Sequence, residues 1–511
     1  MSLDTALSIA RGGLSLVQRQ LAQSADNVSN AGTAGYTRKA VDAEAMSSGS
    51  QSFGVRALAA TRDVDAALNA SLNAARSANA AAVAREAILS PVERAQGNPE
   101  DASSVGDLSA ALNTAFVRLR ASPAEPALQQ GVLSAAEDLA GRYNDTAKAI
   151  VAARQAAHDG MVQDIATLNT GLHDVAGLNA QIIALSASGQ STAALQDQRD
   201  AAVARISEVL EVRTITQPDG AISLIGRGGV SLLLGKGADD FSLQPASIGA
   251  GSYHGAGGSI PGVMLGGVDV TSQLKGGRLA EYASLRDALL PQQQAELDIS
   301  AAAVASRLDA QGLTLFTGGG GAVPDPGAAY SVPTNGLIGF SGTIRVGAGV
   351  RANLASVRDG THGVTAVPGG ASAFSTNPSG GPQGFTTLID RVLTYGFGAE
   401  VAAGTSQPTL PGTGLGPDGS LTSGLGTART VQDYAARLVA SHTAARAGAT
   451  AAKEAAGTLL TGLEKKFDER SGVNVDSEMA AMVTLQNAYA ANARVMSTVQ
   501  AMYDSLFAVS G

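Results

Sequence analysis

The sequence predicts a multidomain α+β protein with three parts: a long-helix terminal coiled coil, a mainly helical bundle domain and a β-rich inserted domain. Three observations carry this. The two chain ends bear matching apolar stripes, residues 61–210 are patterned as helix almost without a break, and residues 317–428 turn to glycine, proline, serine and threonine.

Residues 1–30 read as one helix. Leu3, Leu7, Ala10, Leu14, Val17, Leu21 and Val28 fall on alternating steps of four and three, broken only by Ser24. That seven-residue period lays one apolar edge along a helix for a partner helix. Asn27, Asn30, Gly32 and Gly35 end it. Residues 31–60 are polar and extended. From 61 to 210 helix dominates, with Val162, Ile165, Leu168, Leu172, Val175, Leu178, Ile182 and Leu185 forming a long apolar face. Gly171 and Gly177 weaken that helix without ending it. The period then changes: Val212, Thr214 and Thr216 alternate, Pro218-Asp219-Gly220 turns, and Ile222 and Leu224 follow, as in a β-hairpin. Helix returns over 275–312, with a kink at Pro291.

Over 317–428 only short strand candidates survive, such as Gly342–Arg351. Helix resumes near 429 and runs to the end. There Met482, Leu485, Tyr489, Met496, Val499, Tyr503 and Leu506 repeat the amino-terminal spacing, with polar Asn492 on the seam. At 1.5 Å per residue each terminal stripe extends roughly 37–39 Å, so the two can pair along their whole length. The expected domains are 1–60 with 472–511, 61–316 with 429–471 (carrying a β-hairpin region near 211–272), and an outer β-rich domain at 317–428.

Composition excludes several functions. A net charge of −9 argues against nucleic acid, which needs a basic face. Cysteine is absent, so there are no disulfides, thiolate metal sites or thiol nucleophiles. No apolar run reaches the length of a membrane span, and Asp4 and Arg11 interrupt the pattern of a cleavable secretion signal. If the protein leaves the cell, a dedicated export machine must recognise it. The histidines, His158, His173, His254, His362 and His442, share no metal-ligand spacing. Gly229–Gly237 glances at a phosphate loop but lacks its first glycine and its final hydroxyl. Asp239-Asp240 and Asp197/Asp200 are acid pairs of a kind common on solvated surfaces, and neither GxSxG nor HExxH occurs. No catalytic, cofactor or metal site is expected, and the protein is not expected to be an enzyme.

Four segments carry a resemblance. Ser24–Lys39 (SADNVSNAGTAGYTRK) is similar to the signature after the amino-terminal helix of flagellar rod, hook and junction proteins. Ser471–Phe507, with the core QNAYAANARVM at Gln486–Met496, looks like their carboxy-terminal helix. Leu178–Val212 contains LQDQRD (Leu195–Asp200), and Leu274–Asp298 contains GGRLAEYASLRDALLPQQQAELD. Together they resemble the flagellar hook-associated protein FlgK family of hook–filament junction proteins. The family motif maps onto Asn27, Asn30, Gly35, Tyr36, Asp197, Gln198, Arg199 and Asp200; this chain has Ala34 where the family usually has proline. The LQDQRD charges read as a solvated helix face with local ion pairs.

The resemblance implies an exported extracellular structural adaptor between flagellar hook and filament, self-assembling into a helical or tubular array. Its implied partners are the hook protein, a second hook-associated protein, and an export chaperone at Glu478–Phe507. Leu3, Leu7, Leu14, Val17, Leu21 and Val28 with Met482, Leu485, Tyr489, Asn492, Met496, Val499, Tyr503 and Leu506 form the expected assembly interface. Both ends are expected to be largely disordered before assembly, because isolated helices are marginal in water. The alternatives are another axial protein of hook or rod, or a surface adhesin or enzyme with its activity in 317–428.

Overall fold

The computed structural model describes residues 3–48, 51–97, 101–232 and 240–510. The chain begins with α1 (Leu3–Ser29) and passes into four short strands: β1 (Lys39–Ala40), β2 (Ala43–Ser48), β3 (Gln51–Ala57) and β4 (Thr61–Arg62). β2 and β3 form a hairpin, and β1 pairs antiparallel with β4, placing Lys39 opposite Arg62.

The body starts at α2 (Ala66–Gln96), whose first turn is capped by the Asp65 carboxylate accepting from the Ala67 and Leu68 amides. Next comes α3 (Val105–Ala121), opened by a capping box between Ser104 and Asp107. Then α4 (Pro126–Ala187) runs for 62 residues, about 93 Å at the helical rise. Gly171 sits inside it because α5 (Ala193–Val209) comes close: a Cβ there would lie 2.7 Å from Ile206 Cγ1. β5 (Val212–Thr216) and β6 (Ile222–Gly226) form the hairpin around Pro218-Asp219-Gly220, with Gly220 at φ +88°, and β7 (Ser231–Leu232) adds a third strand. Of the Gly229–Gly237 segment, residues 233–237 lie outside the described residues, as does Asp239.

α6 (Gly277–Ser284) continues through a widened π turn at Leu285–Leu289 into α7 (Leu290–Asp309), and Pro291, expected to kink the helix, directly follows that turn. α7 is buried on all its faces although it carries Gln293, Gln294, Glu296, Asp298 and Arg307. All of these polar groups except Gln293, whose Oε1 is buried without a hydrogen-bond partner, have partners in the chain that follows. Asp298 accepts from the Tyr330 hydroxyl at 2.6 Å, from the Gly339 and Ser341 amides at 2.8 Å, and from the Ser341 hydroxyl. Glu296 accepts from Ser423 Oγ at 2.6 Å, and Arg307 donates to the Arg429 carbonyl at 2.7 Å.

The segment 317–428, expected to be β-rich and separate, therefore differs from the expectation. It holds α8 (Ala348–Ala352), α9 (Ser356–Asp359), α10 (Thr387–Arg391) and a few ladders of two or three residues per strand. The expected strand at Gly342–Arg351 is reduced to Arg345–Val346, and helix α8 takes its end. Its apolar residues, among them Phe340, Leu388, Ile389 and Leu415, join the core of α3, α7 and the first half of α4. A hairpin-rich composition was no guide, because the anchors lie in the preceding helix.

α11 (Val431–Ser471) returns along α2, and α12 (Val475–Ser510) ends the described chain. Two cores thus sit along α4. The first gathers α2, α3, α7, α11 and 313–428 around Val132–Ala157. The second gathers α5, α6 and the hairpin sheet around Met161–Val175.

Candidate functional site

Two places bring the singled-out residues together: the face shared by α1 and α12, and the joint that ties this pair to the body.

α1 and α12 lie side by side and run antiparallel. Asp4 meets the Tyr503 hydroxyl, Gly13 lies against the Asn492 amide, and Asn27 is near Glu478. A Cβ on Gly13 would lie 3.2 Å from Asn492 Oδ1, so the polar seam residue uses space that a glycine leaves. Ala10, Val17 and Val499 are buried in the seam. Leu7, Leu14, Leu21, Val28, Met482, Leu485, Asn492, Met496 and Tyr503 are half-buried. Tyr489 and Leu506 are exposed, at 40% and 56%. The side chain of Leu3 lies outside the described residues. The pair also leaves apolar surface uncovered beside the seam, at Met479, Val483, Val495 and Met502. Two helices alone thus bury only part of what these ends offer.

The joint is built from the two family motifs. At the end of α1, Asn27 exchanges two hydrogen bonds with Lys39: its amide donates to the Lys39 carbonyl at 2.9 Å, and its oxygen accepts from the Lys39 N–H at 3.2 Å. Asn30 donates back to the Asp26 carbonyl at 2.9 Å, closing the helix. Gly35 adopts φ +78°, which a side chain would strain, while Gly32 has no such demand. Tyr36 donates to Asn27 Oδ1 at 3.0 Å and Asp26 Oδ2 at 3.1 Å, and its ring lies 3.3 Å from Lys39 Nζ. Burial and the hydrogen bond to Asp26 push the Tyr36 hydroxyl up.

The other half of the joint is the first two turns of α5. Asp197 is buried and takes four donors: Thr37 Oγ1 at 2.6 Å, the Thr37 amide at 3.3 Å, Lys39 Nζ at 2.7 Å and Arg62 Nη1 at 3.0 Å. One turn on, Asp200 pairs with Arg62 Nη2 at 2.8 Å; burial pushes its carboxyl up while Arg62 opposes. Arg199 is buried facing the other way, donating to Asn179 Oδ1 at 3.0 Å and the Gly220 carbonyl at 2.8 Å. It locks the hairpin turn to α4. Gln198 alone points to solvent.

The reading of LQDQRD as a solvated face is therefore corrected. Its charges alternate between two buried tasks, because residues two apart on a helix face different neighbours. No local sequence signal could have paired them with Thr37, Lys39 and Arg62, which lie 135 to 160 residues away.

A third contact closes the joint on the carboxy-terminal side. Arg38 takes the Ser471 carbonyl with its backbone N–H at 2.8 Å, and its Nε donates to Glu478 Oε1 at 2.6 Å. Burial pushes the Glu478 carboxyl up, but the Ser24 hydroxyl, Arg38 and Asn27 outweigh it and hold it below the ordinary range.

Elsewhere three of the histidines have defined partners. His158 is buried between the Gln244 carbonyl and Arg286, and burial holds it low. His442 is buried 3.5 Å from Glu296. Asp240 pairs with His173 at 2.8 Å. Among the described residues no three His, Asp or Glu side chains gather as a metal site, and no helix is long and apolar enough to cross a membrane.

Comparison with known proteins agrees with the motifs. The family model for the flagellar hook-associated protein FlgK helical domain matches residues 92–322. That for the flagellar basal body rod FlgEFG protein C-terminal region matches residues 464–508. The flagellar hook-associated protein 1 of Escherichia coli strain K12 is 24% identical over 549 residues, covering 99% of each chain. The flagellar hook junction protein FlgK from Burkholderia pseudomallei matches at a TM-score of 0.40, with 22% identity over 49% of this chain and 47% of that one. The likeness to flagellar hook-associated protein 1 thus runs the length of the chain, and the match to the FlgK helical domain covers residues 92–322, which include α5 of the joint.

Proposed function

We propose that this protein is the structural adaptor that joins the flagellar hook to the filament, without enzymatic activity. It polymerises through its paired terminal helices, which act as an antiparallel coiled coil and pack beside those of neighbouring copies around a central axis. Contacts of this head-to-tail kind, when the rotation does not close, generate a helical layer. The hook protein lies on one side of that layer and a second hook-associated protein on the other. Before assembly an export chaperone covers Glu478–Phe507, and the chain reaches the cell exterior without a cleavable signal.

The observation that supports this best is the incomplete burial of the helix pair. Val483, Val495, Met502 and Leu506 remain between 48% and 56% exposed after α1 and α12 have packed. A closed intramolecular bundle has no use for such surface, whereas a layer of copies covers it.

Val499→Asp tests the reading. Val499 is buried in the seam and touches none of the body cores. The variant is expected to keep the wild-type melting of the body and to fail to restore filaments in cells lacking the gene. Normal filaments in that background would contradict it.

A further inference from the structure

Residues 37–62 form a strap of short strands between α1 and the body, and both of its ends are held by α5. Lys39 and Arg62 face each other across the β1–β4 ladder. Two cations directly opposite are mutually repulsive and destabilise such a pair. Asp197 resolves this by accepting from both, at 2.7 and 3.0 Å, while its remaining contacts hold Thr37. The Thr37 and Lys39 side chains are thereby buried against α5, with Lys39 at 5% exposure. Arg62 is held a second time by Asp200. On the helix side, Asn27 and Tyr36 tie the end of α1 to the ladder, but the turn between them is open. Gly32, Thr33, Ala34 and Gly35 are all exposed, and a Cβ at Gly32 or Gly35 would meet nothing within 4 Å.

We infer that the ladder Lys39–Ala40 with Thr61–Arg62 stays docked on α5 in the free monomer, and that Asp197 is the positioning residue that aims the terminal helix pair away from the body. The boundary between ordered body and assembly-dependent helix then lies at the end of α1, N-terminal to Asn27, which is bonded to Lys39. This deepens the assembly reading and rests on it for its purpose, while its test needs only the purified monomer. A copy joining a layer then arrives with its helix root already oriented, so ordering α1 and α12 costs only the helices themselves. The LQDQRD motif acts as the socket for that root.

The absence of cysteine allows clean spin labelling at two introduced sites, Asp42→Cys in the strap and Ala194→Cys on α5, both exposed positions. Electron resonance on the monomer is expected to give a narrow distance distribution, and amide exchange is expected to be slow at Thr37–Ala40 and Thr61–Arg62 and fast over Leu7–Leu21. Asp197→Ala is expected to broaden the distribution and to speed exchange in the ladder roughly tenfold or more, as losing hydrogen bonds to a charged group does. Thr37→Val, which alters only the strap, is expected to move both readouts the same way by less and guards against misfolding of α5. A broad distribution in the parent protein, or an Asp197→Ala variant with unchanged distances and exchange, would overturn the inference. If the gene proved dispensable for filaments, the adaptor reading would fail while these measurements kept their meaning.

Discussion

Lys39 Nζ lies 2.7 Å from Asp197 Oδ2, with 5% and 10% of the two side chains exposed, across 158 residues of sequence. Burying two charges costs several kcal/mol per ion unless the geometry and further hydrogen bonds offset it. Here Thr37 and Arg62 supply those bonds, so the pair acts as a register pin for the chain between helix and body. Its value is specificity of placement more than gross stability.

The members of this cluster are unequal. Lys39→Met leaves Asp197 with Arg62 and Thr37, whereas Asp197→Ala removes the carboxylate from buried Lys39, frees Thr37 and leaves Arg62 with Asp200. Lys39→Met is expected to lower the opening free energy of the ladder by about 1.5–3 kcal/mol, the usual worth of a hydrogen bond to a charged group. Asp197→Ala is expected to cost more. Amide exchange at Ala40 and Arg62 ranks the two, and the reverse order would refute the assignment of Asp197 as hub.

Glu478 makes the joint sensitive to acid. Its carboxyl is held below the ordinary glutamate range by Ser24, Arg38 and Asn27. Its contribution is therefore full above the unfolded value, about 4.3, and is lost as the pH falls through the folded value. Acid titration is expected to release the first turn of α12 from Arg38, and Glu478→Gln is expected to flatten that titration. Arg38 is nearly half exposed, so Arg38→Ala is expected to cost no more than about 1 kcal/mol.

Two glycines of α4 make opposite predictions. Gly171→Ala places a methyl 2.7 Å from Ile206 Cγ1, and is expected to destabilise the body by about 1–3 kcal/mol, with partial rescue by Ile206→Val. At Gly177 nothing lies within 4 Å, so Gly177→Ala is expected to stabilise by up to about 1 kcal/mol. Thermal unfolding of the four proteins decides it.

Asp298 pins the loop 330–341 to α7 through Tyr330, Gly339 and Ser341. Asp298→Ala leaves those donors unpaired inside the core, at about 1–3 kcal/mol for each buried group. Proteolytic cutting is expected to appear first around Val332–Asn335, where the chain is already accessible. Unchanged resistance there would show that the loop is held by its apolar contacts instead.

The terminal helices were legible in the sequence because a seven-residue apolar period depends only on local spacing. Leu14 and Val17, or Met496 and Val499, declare a shared edge wherever the helix lies. The hairpin was legible for the same reason, through the turn at Pro218-Asp219-Gly220. What stayed hidden depends on distant partners. Asp197 and Arg199 look like surface charges until Thr37, Lys39 and Gly220 are placed beside them. α7 misleads further: its glutamines and acids suggest a wet face, yet they anchor 317–428, so that region reads as a separate domain when it is packed on the helical core.

The most direct test is to delete the gene and image the cell surface by electron microscopy while assaying the medium for flagellin. The account predicts complete hooks without filaments and flagellin lost to the medium. Normal flagella on the deleted cells would contradict it.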